Sequence, residues 1–354
     1  MNLLFSTTQG HNPGDDFIRW GIRSLMPEHN AMFFNRAPQS RYTHNNAWLE
    51  HLDVIDYVVL AGTPKLLDHN IPLMQQCIKI GKPLLIIGLG SHVYSGTPGI
   101  INSALDQVIP KSDEQKLVRD LVPLTIVCTV RDSLMQRALL ILGHAPVLFP
   151  CPSFYAVGNS PLSGPEPYVG FVYKNILRET PDGLRGLPWA DMIEQASQMI
   201  VAKLIGLNYR VLVICHYLDD FVQARDLFRK SVSSEQIVYS SEAADFLRVY
   251  RGLSLVVSIR VHGACLAASM GRPAVHLGYD SRMETVKHCG QIAFDVRRYR
   301  DPSSLAESVI EAFQARSLAE WSKSLLHLKE QTGLAYRKLI EDKLSGPKGK
   351  PDGT

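Results

Sequence analysis

The feature that most constrains this chain is its rhythm: short runs of Val, Ile and Leu, each followed by a longer stretch with apolar residues at helical spacing. In the first half the runs are Asn2–Thr7, Val54–Ala61, Leu84–Gly88 and Leu124–Val130; the helical stretches are Asp16–Leu25, Asn70–Ile80, Ser112–Leu121 and Ser133–Leu142. In the second half the runs are Tyr168–Tyr173, Arg210–Cys215, Ile237–Tyr239, Leu253–Ser258 and Ala274–Leu277. The helical stretches there are Trp189–Ile205, Asp219–Phe228, Ala243–Arg251, His262–Met270 and Ser281–Cys289. Near-continuous apolar runs fit strands buried on both faces, and the stretches between them fit crossover helices. The rhythm therefore predicts an α/β protein with parallel sheets.

Its 354 residues suffice for two cores of ordinary size. The Gly-, Ser- and Pro-rich stretch Val157–Pro167 has no periodicity and reads as a linker. This places one Rossmann-like domain over 1–156 and a second over 168–343. The second ends in two helices within Ser303–Lys343, and the polar tail 345–354 is expected to be disordered. Two such domains face each other across a cleft lined by strand C-termini and helix N-termini, where ligands of these sheets bind. The residues just after the strands are therefore the candidates for chemistry.

Several classes fall away on composition. A net charge of +3, without a Lys/Arg stripe, gives no nucleic-acid surface. No uncharged apolar run is long enough to span a bilayer, and the N-terminus lacks the basic and apolar regions of a signal peptide. Six scattered cysteines without a CxxC pair predict buried free thiols in a reducing cytoplasm, not a metal site. The loop after the first strand, TTQGHNPGDD, lacks the GxGxxG of a nicotinamide dehydrogenase.

The strongest local signal is LSLVVSIRVHGACLAASMG, Leu253–Gly271. An apolar strand ends, Arg260 and His262 follow at the turn, and a helix of small residues begins. Its N-terminus offers unpaired N–H groups that favour an anion, and Arg260 adds a donor fork suited to carboxylate or phosphate. His262 stands where it can exchange a proton beside that anion. Read alone, the unit fits a structural ion pair and a capping histidine equally well.

The run SIRVHGACLAASMGRPAVHLGYDSRMETVKHCG resembles the polysaccharide pyruvyl transferases, in which Arg-x-His, a small-residue helix, Gly-x-Pro and Tyr-Asp-x-basic follow one another. Here these are Arg260, His262, Gly271, Pro273, Tyr279, Asp280 and Arg282, with Arg282 in place of the family's usual Lys. CTVRDSLMQRALLILG, Cys128–Gly143, resembles the family's Val-Arg-Asp segment, with Arg131 as anion ligand and Asp132 as its partner or as helix cap. QGHNPGDDFIRWG, Gln9–Gly21, resembles its Asn-x-Gly-Asp loop, in which Asp15 or Asp16 caps the first helix. IIGLGSHVYSG, Ile86–Gly96, resembles its Gly-x-Gly turn, and ICHYLDD, Ile214–Asp220, places His216 directly after a strand. The chain departs from the pattern at Cys151, where many members have Asp.

The resemblance covers roughly residues 1–290 and implies a GT-B-like fold. It also implies transfer of pyruvate from phosphoenolpyruvate to a sugar as a cyclic ketal, with loss of phosphate. It needs no cofactor or metal. It casts His262 as general acid and Arg260, Arg131, Arg282 and the Gly263 amide as donor ligands. Asn12, Asp15, Asp16, His92 and His216, with Tyr94 beside them, become acceptor-side residues. The partners implied are phosphoenolpyruvate and a glycan, lipid-linked or not, with peripheral membrane association compatible with the former. Two rivals share the fold: a glycosyltransferase with a nucleotide-sugar donor, and a glycan-binding relative without catalysis.

Overall fold

The computed structural model describes residues 1–7, 13–35, 52–62, 71–93, 102–157, 168–176 and 188–346. Asn12, Tyr94, nearly all of the stretch read as a linker and the tail beyond Gly346 lie outside them. Two six-stranded parallel sheets organise the described residues. The first is built from β1 (Asn2–Thr7), β2 (Asn30–Asn35), β3 (Tyr57–Ala61), β4 (Leu84–Leu89), β5 (Thr125–Val130) and β6 (Val147–Leu148), in the order β2-β1-β3-β4-β5-β6. The second holds β7 (Tyr168–Tyr173), β8 (Arg210–Cys215), β9 (Ile237–Tyr239), β10 (Leu253–Ser258), β11 (Ala274–Gly278) and β12 (Ile292–Asp295), in the order β12-β11-β10-β7-β8-β9. In doubly wound sheets the chain reverses direction at one pair of strands and leaves a crevice beyond their C-terminal ends. That pair is β1/β3 in the first sheet and β7/β10 in the second.

The helices between strands are α1 (Pro13–Leu25), α2 (Ile71–Ile80), α3 (Asn102–Val108), α4 (Ser112–Asp120), α5 (Ser133–Ile141), α6 (Pro188–Gly206), α7 (Leu218–Phe228), α8 (Ala243–Arg251), α9 (Val261–Ser269) and α10 (Met283–His288). Two more, α11 (Pro302–Gln314) and α12 (Leu318–Ser345), close the chain. Three strands escaped sequence reading, namely β2, β6 and β12, together with the short helix α3.

Side-chain alternation explains why both faces of the first sheet are covered. Leu3, Phe5, Val59, Ala61, Leu85 and Ile87 enter a core shared with the second half of the chain. Their neighbours Leu4, Val58, Leu60, Leu84 and Ile86 point the other way, into a core closed by α2 and α5. The shared core contains Phe17 of α1, whose ring meets His216 at 5.9 Å and Phe246 at 6.5 Å. The two sheets are therefore joined by buried apolar contact beneath the cleft.

The last helix returns to the first sheet. Tyr336 of α12 is fully buried, stacks on Phe149 at 4.3 Å and shares a hydrogen bond with Thr129 of β5. Lys329 donates to the carbonyls of Val157 and Ser269, and Tyr155 donates to Thr332. No helix among the described residues is long and apolar enough to cross a membrane.

Candidate functional site

Strand ends bring the candidate residues together. Arg131 leaves β5, Lys174 leaves β7, His216 leaves β8, and Ile259 and Arg260 leave β10. With Asp15, Tyr217, His262 and Arg282 they line a small chamber of about 110 Å³. Its walls come from both sheets. Arg131 belongs to the first, while Lys174, Arg260, His262 and Arg282 belong to the second.

Arg131 is almost fully buried. Its Nη1 donates to Nε2 of His262 at 3.3 Å and lies 3.5 Å from the Cys151 sulfur, and its buried Nε has no hydrogen-bond partner. A guanidinium has donors only, so Nε2 of His262 is the acceptor and the ring is neutral in this arrangement. Burial holds the His262 pKa below its ordinary value; the nearby Cys151 pulls it up, and Arg131 and Arg282 push it down. Cys151 is the position at which the sequence departs from the pattern it otherwise resembles. Burial, reinforced by Cys265, pushes its thiol up to about 11 against the pull of Arg131 and His262. A neutral thiol thus faces Arg131, and no carboxylate pairs with this guanidinium among the described residues.

The other arginines are anchored. Arg260 donates through Nε at 3.0 Å and through Nη2 to Asp220, and lies 4.4 Å over the Tyr217 ring. Asp220 also accepts from the Asn175 amide at 2.9 Å. Arg282 forks onto Asp280, whose carboxyl is held well below the usual range: burial opposes ionisation, but the Arg282 charge outweighs it. These pairs fix the planes of both guanidinium groups at the chamber wall. Lys174 is buried, donates to the Tyr279 hydroxyl and sits 5.2 Å over its ring, and Tyr279 stacks in turn on Trp189 at 4.9 Å.

The two halves also touch around the chamber. Ser281 accepts from Ser91 at 2.8 Å and from the Val93 amide at 3.0 Å. Ser133 donates to Glu284 at 2.9 Å, and His288 Nδ1 donates to the Arg131 carbonyl at 3.1 Å. Asp132, proposed as partner or cap, is a cap: it accepts from the amides of Met135 and Ser91 and not from Arg131.

Other expectations land elsewhere. Helix α1 begins at Pro13, so Asp15 and Asp16 stand in its first turn instead of capping it; Asp15 lines the chamber, whereas Asp16 pairs with Arg19. His92 lies against Asp280 at 3.6 Å, outside the chamber wall. His216 does line the chamber, but it is wedged against Phe246 and Tyr250, and burial followed by the charges of Arg260 and His262 keeps it neutral. The Gly263 amide already donates to the Arg260 carbonyl. A Cβ at Gly263 would meet Ser258 Oγ at 2.6 Å, so this glycine serves the close approach of α9 to the sheet. Lys174 and Tyr217 were not foreseen. A lysine directly after YVGFVY was the available signal, by the same rule that picked out Arg131 after LTIVCTV.

A family model for polysaccharide pyruvyl transferase matches residues 12–281. The chain belongs to the polysaccharide pyruvyl transferase family. Membership makes it a transferase of polysaccharide biosynthesis and spans every residue just described but Arg282 and the α10 contacts. No curated protein matches the chain. Among solved structures it is similar to S. aureus MnaA in complex with UDP, at 12% identity, TM-score 0.57 and coverage of 100% of this chain and 99% of that one. It is likewise similar to the UDP-GlcNAc 2-epimerase from Neisseria meningitidis bound to UDP-GlcNAc, at 11%, 0.58, 98% and 100%. A third is Anabaena Alr3699/HepE in complex with UDP-glucose, at 14%, 0.55, 98% and 100%. At these identities the likeness concerns the fold, which is of the GT-B type: two Rossmann-like domains facing a cleft.

Proposed function

We propose that the protein is a ketal pyruvyl transferase, moving pyruvate from phosphoenolpyruvate onto a sugar of a cell-surface polysaccharide or its precursor and releasing phosphate. The observation that carries this reading is the chamber of about 110 Å³, on which Arg131, Lys174, Arg260, Arg282 and His262 converge against one carboxylate among the described residues of its wall, Asp15. Its size and charge suit a small, densely anionic donor bearing one carboxylate and one phosphate. The amides of Val261 and His262, the first two of α9, for which helix geometry leaves no intrahelical partner, add further donors.

The reaction needs a proton on the methylene carbon of the enolpyruvyl group, which makes C2 electrophilic. One sugar hydroxyl then adds to C2, phosphate leaves, and the second hydroxyl closes the ketal; the two hydroxyl protons pass to the phosphate and to the base left by the acid. His262 is the acid in this scheme. In the arrangement described it is neutral and accepts from Arg131. A bound anion draws the Arg131 donors to itself and, by its negative charge, raises the His262 pKa. The acid form thus arises only with donor bound, which guards against protonation chemistry without substrate. The UDP ligands of the three solved structures raise a nucleotide-sugar donor as the second reading.

Incubation with phosphoenolpyruvate and a panel of acceptor glycosides tests the proposal, with phosphate release and ketal formation followed by NMR. Phosphate equimolar with ketal is expected. Turnover of UDP-sugars with none of phosphoenolpyruvate would sink it. His262→Ala should lower turnover by about 10²–10⁴-fold, the usual worth of a positioned acid, while leaving donor affinity within a few-fold.

A further inference from the structure

Beside the chamber lies a second and larger cavity of about 540 Å³, at the C-terminal ends of β8 and β9. The two cavities share His216, Tyr217 and Arg260 as a common wall. From this geometry we infer that the larger cavity is the acceptor subsite and that it takes an uncharged pyranose ring. The inference rests on the pyruvyl-transfer reading; it keeps His216 on the acceptor side, as the sequence suggested, and moves the acceptor away from Asp15 and His92, which do not line this cavity.

Three features carry it. The volume is that of a small-molecule site, and the lining mixes aromatic side chains, Tyr217 and Tyr239, with the hydroxyl residues Ser240 and Ser241. Flat aromatic faces with hydrogen-bonding groups at their edges match a sugar ring, which has apolar C–H faces and an equator of hydroxyls. The charge is the third feature. Asp219 and Asp220 open α7 at this cavity, and Arg260, the cation on its wall, is already paired with Asp220. Helix N-termini favour anions, but two carboxylates in the first turn of α7 occupy that end electrostatically. A diphosphate is thus repelled where a neutral polyol is not, while the adjoining chamber has the opposite character. The two cavities divide the substrates by charge, with Arg260 and Tyr217 between them.

Ligand-observed and titration NMR with the methyl glycosides of glucose, galactose, mannose and N-acetylglucosamine tests the assignment, alongside UDP and phosphoenolpyruvate as separate probes. Ser241 is exposed at the rim, so Ser241→Trp fills the cavity without disturbing the core; Tyr239→Ala removes one aromatic face. At least one glycoside should bind the wild type saturably and lose tenfold or more in affinity in both variants, while phosphoenolpyruvate affinity stays within twofold. Glycoside binding that both variants leave within twofold overturns the assignment, as does binding of none of the glycosides. UDP binding that Ser241→Trp abolishes also overturns it, in favour of a nucleotide site. Failure of phosphoenolpyruvate to bind the wild type strikes the pyruvyl-transfer reading instead, so the two failures are told apart.

Discussion

A Cβ on Gly90 would stand 2.2 Å from Nε of Arg131 and 3.0 Å from its Cγ. Gly90 follows β4 and Arg131 follows the adjacent β5, so paired strands deliver the two side by side. The missing side chain of one is the space filled by the guanidinium of the other. The Gly-x-Gly turn and the Val-Arg-Asp segment are thus parts of a single device.

Gly90→Ala should therefore push the Arg131 side chain aside while leaving the sheet intact, because the clash is with one side chain and not with backbone. Phosphoenolpyruvate affinity is expected to fall at least tenfold, about 1.4 kcal/mol. Calorimetric titration measures it; unchanged affinity would remove Arg131 from the donor site.

Lys174 makes a parallel case from the second sheet. Its ammonium is held by the Tyr279 hydroxyl and ring at the chamber wall. Lys174→Met should cost roughly 1.5–3 kcal/mol of donor binding, the range for a hydrogen bond to a charged group. Tyr279→Phe, which keeps the ring and removes only the anchoring hydroxyl, should cost less. Equal losses in the two variants would mean that Lys174 serves packing and not the donor.

How much of this was legible follows from what each signal reports. Arg131 and Arg260 could be found because each sits one or two residues beyond an apolar run, with His262 two residues after Arg260, and strand ends in parallel sheets share one edge. β2 was missed because NAMFFN has polar ends and, among the described residues, pairs with β1 on one side only, and β12 because its half-buried IAFD lacks a long apolar run. That Asp220 holds Arg260, and Asp280 holds Arg282 and faces His92, is set by side-chain directions after folding, which no spacing rule encodes. The return of α12 to β5 through Tyr336 and Thr129 spans 207 positions and leaves no local trace.

The Arg260–Asp220 pair changes what a simple alanine test at Arg260 reports. Both side chains are mostly buried. Removing the guanidinium alone leaves a buried carboxylate supported mainly by the Asn175 amide, a loss of about 3–5 kcal/mol in folding stability. The double variant Arg260→Ala/Asp220→Ala should be more stable than Arg260→Ala, with a coupling of about 0.5–3 kcal/mol in urea denaturation. Donor affinity should be low in both. Recovery of affinity in the double variant would mean that Arg260 matters only as a partner to Asp220.

Buried neutral histidines make the fold sensitive to mild acid. Burial holds His276 down to about 4, and burial followed by the charges of Arg260 and His262 keeps His216 well below its ordinary value. In the unfolded chain each takes up a proton near about 6.5. Between about pH 6.5 and about pH 4 the unfolded state therefore holds the extra protons, and stability falls as pH falls, by up to about 1.4 kcal/mol per pH unit for each ring. Asp280 does not add to this slope. Its carboxyl is held low by Arg282 and gives up its contribution only in stronger acid. His276 Nδ1 donates to the Ser258 carbonyl at 2.8 Å, a bond that an Asn amide can replace. Urea denaturation of His276→Asn across this range should show a slope shallower than that of the wild type by up to one histidine's share. An unchanged slope would mean that His276 is protonated in the folded protein and that the acid sensitivity resides in the other buried histidines, His216 and His262 among them.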